Sequence, residues 1–490
     1  MFEEAEADPS LAKKIFDRRE LRLRTALLNA QYSLLSRADR TLLVVIAGIA
    51  GSGKGDAVNL MNAWMDPRHI HTLAFDTPSP AQSQYPPFWR YWNALTAKGR
   101  IGIVFGSWYV PLLKEAARKR PDADFIEREA ERIRRLEATL SANGVQIVKL
   151  WYHMSAQAQC ARTQALLSSP ETAWKVMPED LKVPKQFERL RNAGLAAIER
   201  TDMPAAPWTV VPAADTPLRH LRTAQILLAA LRRQQAPRPA RAQAAAGKST
   251  RRIRDRLGEV DYEALVDKND YEIELGLLQG RLARATRSPR FHKDHSLVLV
   301  FEGQDAAGKG GAIRRVTHAL DARQFEITPV SAPNSDDLAH PYLWRFWRHV
   351  PRPGRIAIFD RSWYGRVLVE RVEGYAAPSD WRRAYGEIND FEAQLADKGA
   401  IVLKFWLAVT QDVQLARFKE REHSPFKNFK ITPDDWRNRK RWNDYARAAN
   451  EMLARTDTPA APWNLISAND KRYARLQVLR QIVHAIETRL

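Results

Sequence analysis

Cysteine is almost absent: Cys160 is the single one in 490 residues. An internal disulfide is therefore excluded, and a reducing cytosol is the compartment expected. Long apolar runs are missing too. None approaches the ~20 residues that cross a bilayer, and the longest, 42–50, suits a buried strand. Residues 1–10 are acidic and have no apolar centre, so no secretory signal is expected there. Acid is outnumbered by base, 57 against 77, for a net charge of +20. Such a balance favours a polyanionic partner: nucleic acid, an anionic membrane or polymeric phosphate. Charge does not choose among these, so a site must.

What is present is an ordinary globular composition, 45% hydrophobic and 27% charged, in a chain long enough for two or three domains. It is written twice. At a constant offset of 255, Gly53-Lys54-Gly55 pairs with Gly308-Lys309-Gly310, and Trp89-Arg90-Tyr91-Trp92 with Trp344-Arg345-Phe346-Trp347. Ser107-Trp108-Tyr109 pairs with Ser362-Trp363-Tyr364, Lys149 with Lys404, and Ala206-Pro207-Trp208 with Ala461-Pro462-Trp463. A single gapless offset implies two copies of one domain, 1–235 and 256–490. Between them, 232–254 holds eight basic residues and no acid among Ala, Pro and Gln, and 236–255 reads as a basic, solvated linker.

In the second copy, β-rich runs at 296–301, 325–330, 355–359, 401–407 and 463–467 alternate with helical patterns from about 311 and at 341–350, 381–397, 412–422, 433–455 and 471–490. That alternation predicts an α/β fold, a parallel sheet covered on both faces by helices.

Between the first run and its helix lies Gly303-Gln304-Asp305-Ala306-Ala307-Gly308-Lys309-Gly310-Gly311. Strand, glycine-rich loop and helix in that order are the context of a P-loop, where backbone N–H groups, the helix N-terminus and a lysine converge on phosphate. A plain glycine turn would leave Lys309 unexplained. The residue after the lysine is usually Ser or Thr, whose hydroxyl holds Mg²⁺; here it is Gly310. Asp305 is the substitute, since Mg²⁺ prefers carboxylate oxygen. Asp360, at the end of the strand 355–359, is the second candidate metal ligand, and Arg361 beside it is placed to neutralise charge developing in transfer. A local salt bridge at the strand end is the plainer reading of that dipeptide. Arg366 is a further candidate for phosphate.

These segments, Glu302 to Gly311 and Phe359-Asp360-Arg361-Ser362-Trp363-Tyr364 onward to Val372, resemble the Walker A and B segments of the polyphosphate kinase 2 family. Trp442-Asn443-Asp444-Tyr445 and Ala461-Pro462-Trp463, with Asp470-Lys471-Arg472-Tyr473-Ala474-Arg475-Leu476, fit its C-terminal pattern, so that the resemblance covers nearly all of 265–490 and, more weakly, the first copy. It implies two tandem P-loop domains of thymidylate-kinase-like fold, each with a helical lid. It implies Mg²⁺, inorganic polyphosphate as donor and a nucleotide acceptor, most often AMP giving ADP. By the same resemblance Asp305, Lys309, Asp360 and Arg361 are catalytic. Arg417, Arg421, Lys427 and Lys430 join Gly303, Gly308, Gly310 and Gly311 around polyphosphate from a lid. Asn334, Asp336 and Asp337 form the acceptor-side loop; as plain chemistry they are also an N-cap cluster.

The first copy keeps Gly48, Gly53, Lys54 and Gly55 but has Ala50, Phe105 and Gly106 where the second has Asp305, Asp360 and Arg361. It is expected to be catalytically silent. Diphosphate acceptors, or polyphosphate synthesis from a nucleoside triphosphate, are the alternatives within this chemistry. A P-loop NTPase or nucleic-acid binder is the alternative outside it, but no nucleic-acid module is visible. No membrane partner is expected, and a homo-oligomer stays open.

Overall fold

The structure is a computed structural model, and it describes residues 1–233, 253–424 and 431–490. The chain divides into two compact units. The first comprises Met1–Pro78, Arg90–Ala236 and Pro333–Trp344; the second comprises Ser79–Trp89, Pro237–Ala332 and Arg345–Leu490. Each contains one five-stranded sheet. In the first unit β1 (Thr41–Gly48), β2 (Ile70–Ala74), β3 (Ile101–Phe105), β4 (Val145–His153) and β5 (Trp208–Pro212) lie in the order β2-β3-β1-β4-β5. In the second, β6 (Ser296–Gly303), β7 (Phe325–Pro329), β8 (Ile356–Asp360), β9 (Ala400–Ala408) and β10 (Trp463–Ser467) repeat that order as β7-β8-β6-β9-β10. All neighbouring strands are parallel.

The reason lies in the strands themselves. Leu297 to Phe301 are fully buried, an unbroken apolar run that water could not face on either side. Helices cover both faces, and the expected α/β architecture with helix-flanked parallel sheets is what forms. Five second-copy strands fall within two residues of the runs expected. Two helical expectations need correction. Residues 341–350 form only one turn, Trp344–Trp347. Leu343, Trp344, Phe346 and Trp347 are all buried on either side of the part-exposed Arg345, so burial follows no single helical stripe, and prolines bracket the segment at 341 and 351. The pattern 433–455 splits into Pro433–Lys440 and Trp442–Thr456, because Arg441 leaves the helical region at φ −103°, ψ 25°. No helix among the described residues is long and apolar enough to cross a membrane.

One polar network runs through each core. Lys404, on β9, donates to Glu392 at 2.8 Å, to the Tyr364 hydroxyl at 2.9 Å and to the Thr456 carbonyl at 2.6 Å. Trp363 and Tyr364 donate to the other Glu392 oxygen at 2.9 and 2.7 Å. Both ions are wholly buried. Burial pushes the Glu392 carboxyl up and the Lys404 ammonium down, and their attraction opposes both shifts. Removing one partner strands the other charge, which costs about 3–5 kcal/mol, whereas replacing both by apolar groups costs much less. Glu392→Leu and Lys404→Met are therefore each expected to lower the denaturant midpoint sharply, and the double variant to recover most of the loss. Additive losses would show that the pair is not coupled.

Candidate functional site

The loop after β6 is shaped by three left-handed residues. Gly303 has φ +137°, and a Cβ there would lie 2.2 Å from the Leu407 carbonyl oxygen, so no side chain fits between β6 and β9. Ala306 (φ +62°) and Gly308 (φ +104°) complete the turn into helix Lys309–Thr317. That helix begins at the loop, and a helix N-terminus beside a glycine-rich loop favours phosphate. Lys309 folds back and donates to the carbonyls of Gly303 at 2.8 Å and Gln304 at 3.2 Å. Burial lowers its pKa, the nearby Arg361 charge lowers it further, and Asp305, Asp360 and Glu302 resist.

Asp360 closes β8 directly across from Phe301 on β6. The next residue, Arg361, is also left-handed, at φ +65°, a conformation a non-glycine residue holds only where its surroundings impose it. Its N–H is bonded to the Phe301 carbonyl at 3.0 Å. Its guanidinium donates to Asp305 Oδ1 at 2.9 Å, and Asn438 donates to Asp305 Oδ2, also at 2.9 Å. Burial disfavours the arginine's charge, but Asp305, Glu302 and Asp360 outweigh it and leave its pKa raised. Ser362 donates to the buried Glu302 at 2.8 Å, tying the two strand ends together.

Loop, strand ends and helices enclose a cleft of about 700 Å³. Seven cations line it: Lys309, Arg314, Arg361, Arg417, Arg421, Lys471 and Arg475. Four carboxylates stand against them, from Asp305, Asp360, Glu420 and Asp435. A surplus of this kind suits a substrate carrying several negative charges.

The structure gathers Asp305, Lys309, Asp360, Arg361, Gly308, Gly310, Gly311, Arg417 and Arg421 in this one cleft, with Gly303 at its edge. Arg417 differs from the lid residue that the resemblance implies. It is buried and donates to the carbonyls of Ala306, Ala307, Ala468 and Asn469, at 3.0, 3.4, 2.7 and 2.9 Å. It braces the back of the loop. Arg366 pairs with Glu370 at 3.1 Å and lies outside the cleft lining. Asn334 caps the short helix Ser335–Ala339 in a reciprocal box with Asp337, and Asp336 stands in its first turn. All three belong to the stretch grouped with the first unit. Lys427 and Lys430 lie outside the described residues. The sequence resemblance leaves out Asn438 and Gln414, and takes in Lys471 and Arg475 only as part of its C-terminal pattern, with no site role. Lys471 and Arg475 were findable, as cations one turn apart at the start of a helix.

The first unit reproduces the loop's shape without its charges. Gly48, Gly51 and Gly53 are left-handed at φ +139°, +79° and +78°. Lys54 donates to the carbonyls of Gly48 and Ile49 at 2.8 Å each, and burial pushes its pKa down to about 8. Gly106 takes Arg361's place at φ +75°, and a Cβ there would lie 2.0 Å from the Phe75 carbonyl oxygen. Where the second unit has Gly311, the first has Asp56, paired with Arg162 at 2.7 Å and Arg219 at 3.3 Å. Arg219 is fully buried, its guanidinium carbon 2.7 Å from where a Cβ on Gly53 would stand. An internal carboxylate and guanidinium thus occupy the mouth of that loop.

Known proteins share this organisation. The model of the polyphosphate kinase 2 family matches residues 10–239 and again 265–490. A polyphosphate:AMP phosphotransferase of Pseudomonas aeruginosa is 46% identical over 490 residues, 99% of each chain. One from Acinetobacter johnsonii is 39% identical over 498 residues, 98% of each. A crystal structure of a putative polyphosphate kinase 2 from Pseudomonas aeruginosa PA01 superposes with a TM-score of 0.88 at 44% identity, covering 100% of this chain and 99% of that one. With the family's model matched twice and its fold repeated in both units, the chain belongs to the polyphosphate kinase 2 family.

Proposed function

We propose that the second unit moves a phosphoryl group from inorganic polyphosphate to a nucleoside monophosphate, converting AMP to ADP, and that the first unit does no chemistry. The observation that supports this most is the convergence of Lys309, Asp305, Asp360 and Arg361 on one cationic cleft in the copy that keeps them. The relatives named polyphosphate:AMP phosphotransferase match along the whole of this two-copy chain. The functional domains are 1–235 and 256–490, joined by 236–255.

The residues divide the work. Backbone N–H groups from Gly308 to Gly310, with Lys309, hold the donor's terminal phosphates. Arg421, Lys471 and Arg475 extend the positive track for the rest of the polymer. Arg361 faces the transferring group with its charge already in place, so little reorganisation accompanies transfer. The acceptor is itself a phosphate oxygen and needs no strong base; positioning and charge neutralisation do most of the work.

The donor set fits a divalent cation. Asp305 and Asp360 are two carboxylates in one cleft, and among the described residues no group of three potential ligands stands ready. Mg²⁺ takes such sites, bound through one or two carboxylates and completed by substrate phosphates. Held by Asp305 and Asp360, it would offset the negative charge of the substrate phosphates.

Three outcomes follow. With polyphosphate, AMP and Mg²⁺ but no ATP, the protein should form ADP, and chelation should stop it; phosphate release from ATP without ADP formation from AMP would overturn the assignment. Lys309→Ala and Asp305→Asn should each lower kcat/KM by about 10²–10³ with the fold intact by circular dichroism, while Lys54→Ala should leave turnover unchanged. The depressed pKa of Lys309 means its charge is lost earlier on raising pH. The alkaline limb of kcat/KM for polyphosphate, which reports the free enzyme, should accordingly fall below the ordinary lysine range near ~10.4.

A further inference from the structure

The first long helix of the second unit, Lys268–Thr286, is apolar on two sides. One side packs: Tyr271, Leu278, Leu282 and Ala285 are buried in the unit's core cluster. The other side faces water. Ile273 is 67% exposed and Leu277, one turn on, 65%; Leu265, just ahead of the helix, is 76% exposed. A surface helix ordinarily carries one apolar stripe and a polar back. A second stripe leaves clustered aliphatic side chains in water, which is unfavourable until something covers them.

Two glycines share that outer side. Gly276 and Gly280 are also one turn apart, and neither has a positive φ that would call for glycine. A Cβ at Gly276 would meet no described atom within 4 Å, and one at Gly280 only the tip of Arg284, at 3.7 Å. The unit's own packing therefore has room for alanine at both. Glycine is the poorest helix former after proline, so two in mid-helix need a reason that this packing does not supply. Close approach of another helix is such a reason, because the side chains at a contact set how near two helix axes come.

The first unit shows that the fold does not ask for this face. At the matching positions its helix, Lys13–Arg37, has Arg18 for Ile273, Leu21 for Gly276, Arg22 for Leu277 and Thr25 for Gly280, all of them exposed. The face in the second unit is instead complementary to itself. Positions 273 and 280 are equidistant from the midpoint between 276 and 277. The same helix laid antiparallel across that midpoint sets Ile273 over the partner's Gly280 and Leu277 over the partner's Gly276, large against small each time. The charges follow the same rule, with Lys268 the one exception. Asp270 and Glu272 stand exposed before the stripe, and Arg281, Arg284 and Arg287 after it. An antiparallel pairing brings opposite signs together, whereas a parallel one sets like against like.

We propose that a second copy of the chain docks on this face, the two helices pairing antiparallel across a twofold axis. A twofold contact uses the same patch on both partners, so the patch must match itself. This one does so in size and in charge.

Sedimentation velocity on the full chain, over about a hundredfold range of concentration, tests it. The wild type is expected at twice the mass of one chain. Leu277→Glu puts a charge on the stripe, and Gly280→Leu fills the hollow. Each is expected to raise the dimer Kd at least about a hundredfold and to run as a single chain, with circular dichroism unchanged because both positions face water. Asp270→Arg and Arg284→Asp should each weaken the dimer, and the two together should restore it, as an antiparallel pair requires. A wild type that stays a single chain at every concentration means that a second copy is not what covers this face, and the proposal fails. It fails equally if the dimer persists in Leu277→Glu or Gly280→Leu, or if the two charge changes do no better together than apart.

Discussion

A lysine with no access to water sits under the working end of this fold. Lys404 and Glu392 are both wholly buried, and the same carboxylate that neutralises the lysine accepts from Trp363 and Tyr364. Those two residues begin two positions after Arg361. The network therefore fixes where the chain goes on leaving β8, and with it the backbone at Asp360 and Arg361. Such a pair adds little net stability, because taking two ions out of water costs about what their attraction returns. What it supplies is a single geometry: any other path for residues 362–364 would leave a buried charge or hydroxyl unpaired. The first unit has the same arrangement, with Lys149 2.8 Å from Glu137 and Trp108 and Tyr109 on the same carboxylate at 3.0 and 2.7 Å. Since that copy has Ala50, Phe105 and Gly106 where the second has Asp305, Asp360 and Arg361, the network belongs to the fold and does not depend on those residues.

The two units also separate shape from charge. Left-handed residues recur at matching places in both loops, and both lysines fold back on the same pair of carbonyls. A P-loop conformation is thus compatible with a neutralised mouth. What distinguishes the units is the content of that mouth: open glycine at 311 in one, Asp56 clasped by Arg162 and Arg219 in the other.

Much of this was legible in the chain. Parallel strands buried on both faces write themselves as unbroken apolar runs, and a glycine-rich turn between strand and helix has few other uses. Asp305, Asp360 and Arg361 share one cleft, as the strand ends required. The failures have physical causes as well. Asn438 is a neutral amide 133 residues from Asp305, and nothing local announces a hydrogen bond across that separation. The break at Arg441 is invisible because no glycine or proline marks it, and it is Tyr445, bonded to Asn438 at 3.1 Å, that ties the two pieces together. Arg417 read as a ligand for phosphate because a cation in a basic helix gives no sign of which way it turns; burial sent it to backbone carbonyls.

The glycine at 106 carries one last implication. The carbonyl of Phe75 lies where a side chain at that position would begin, and the backbone there is left-handed. An arginine at 106 would collide with the neighbouring strand's continuation, and the loop mouth it would face already holds Asp56 between Arg162 and Arg219. A single change toward the second unit's sequence at this place therefore costs folding first, and only a concerted set of changes avoids that cost.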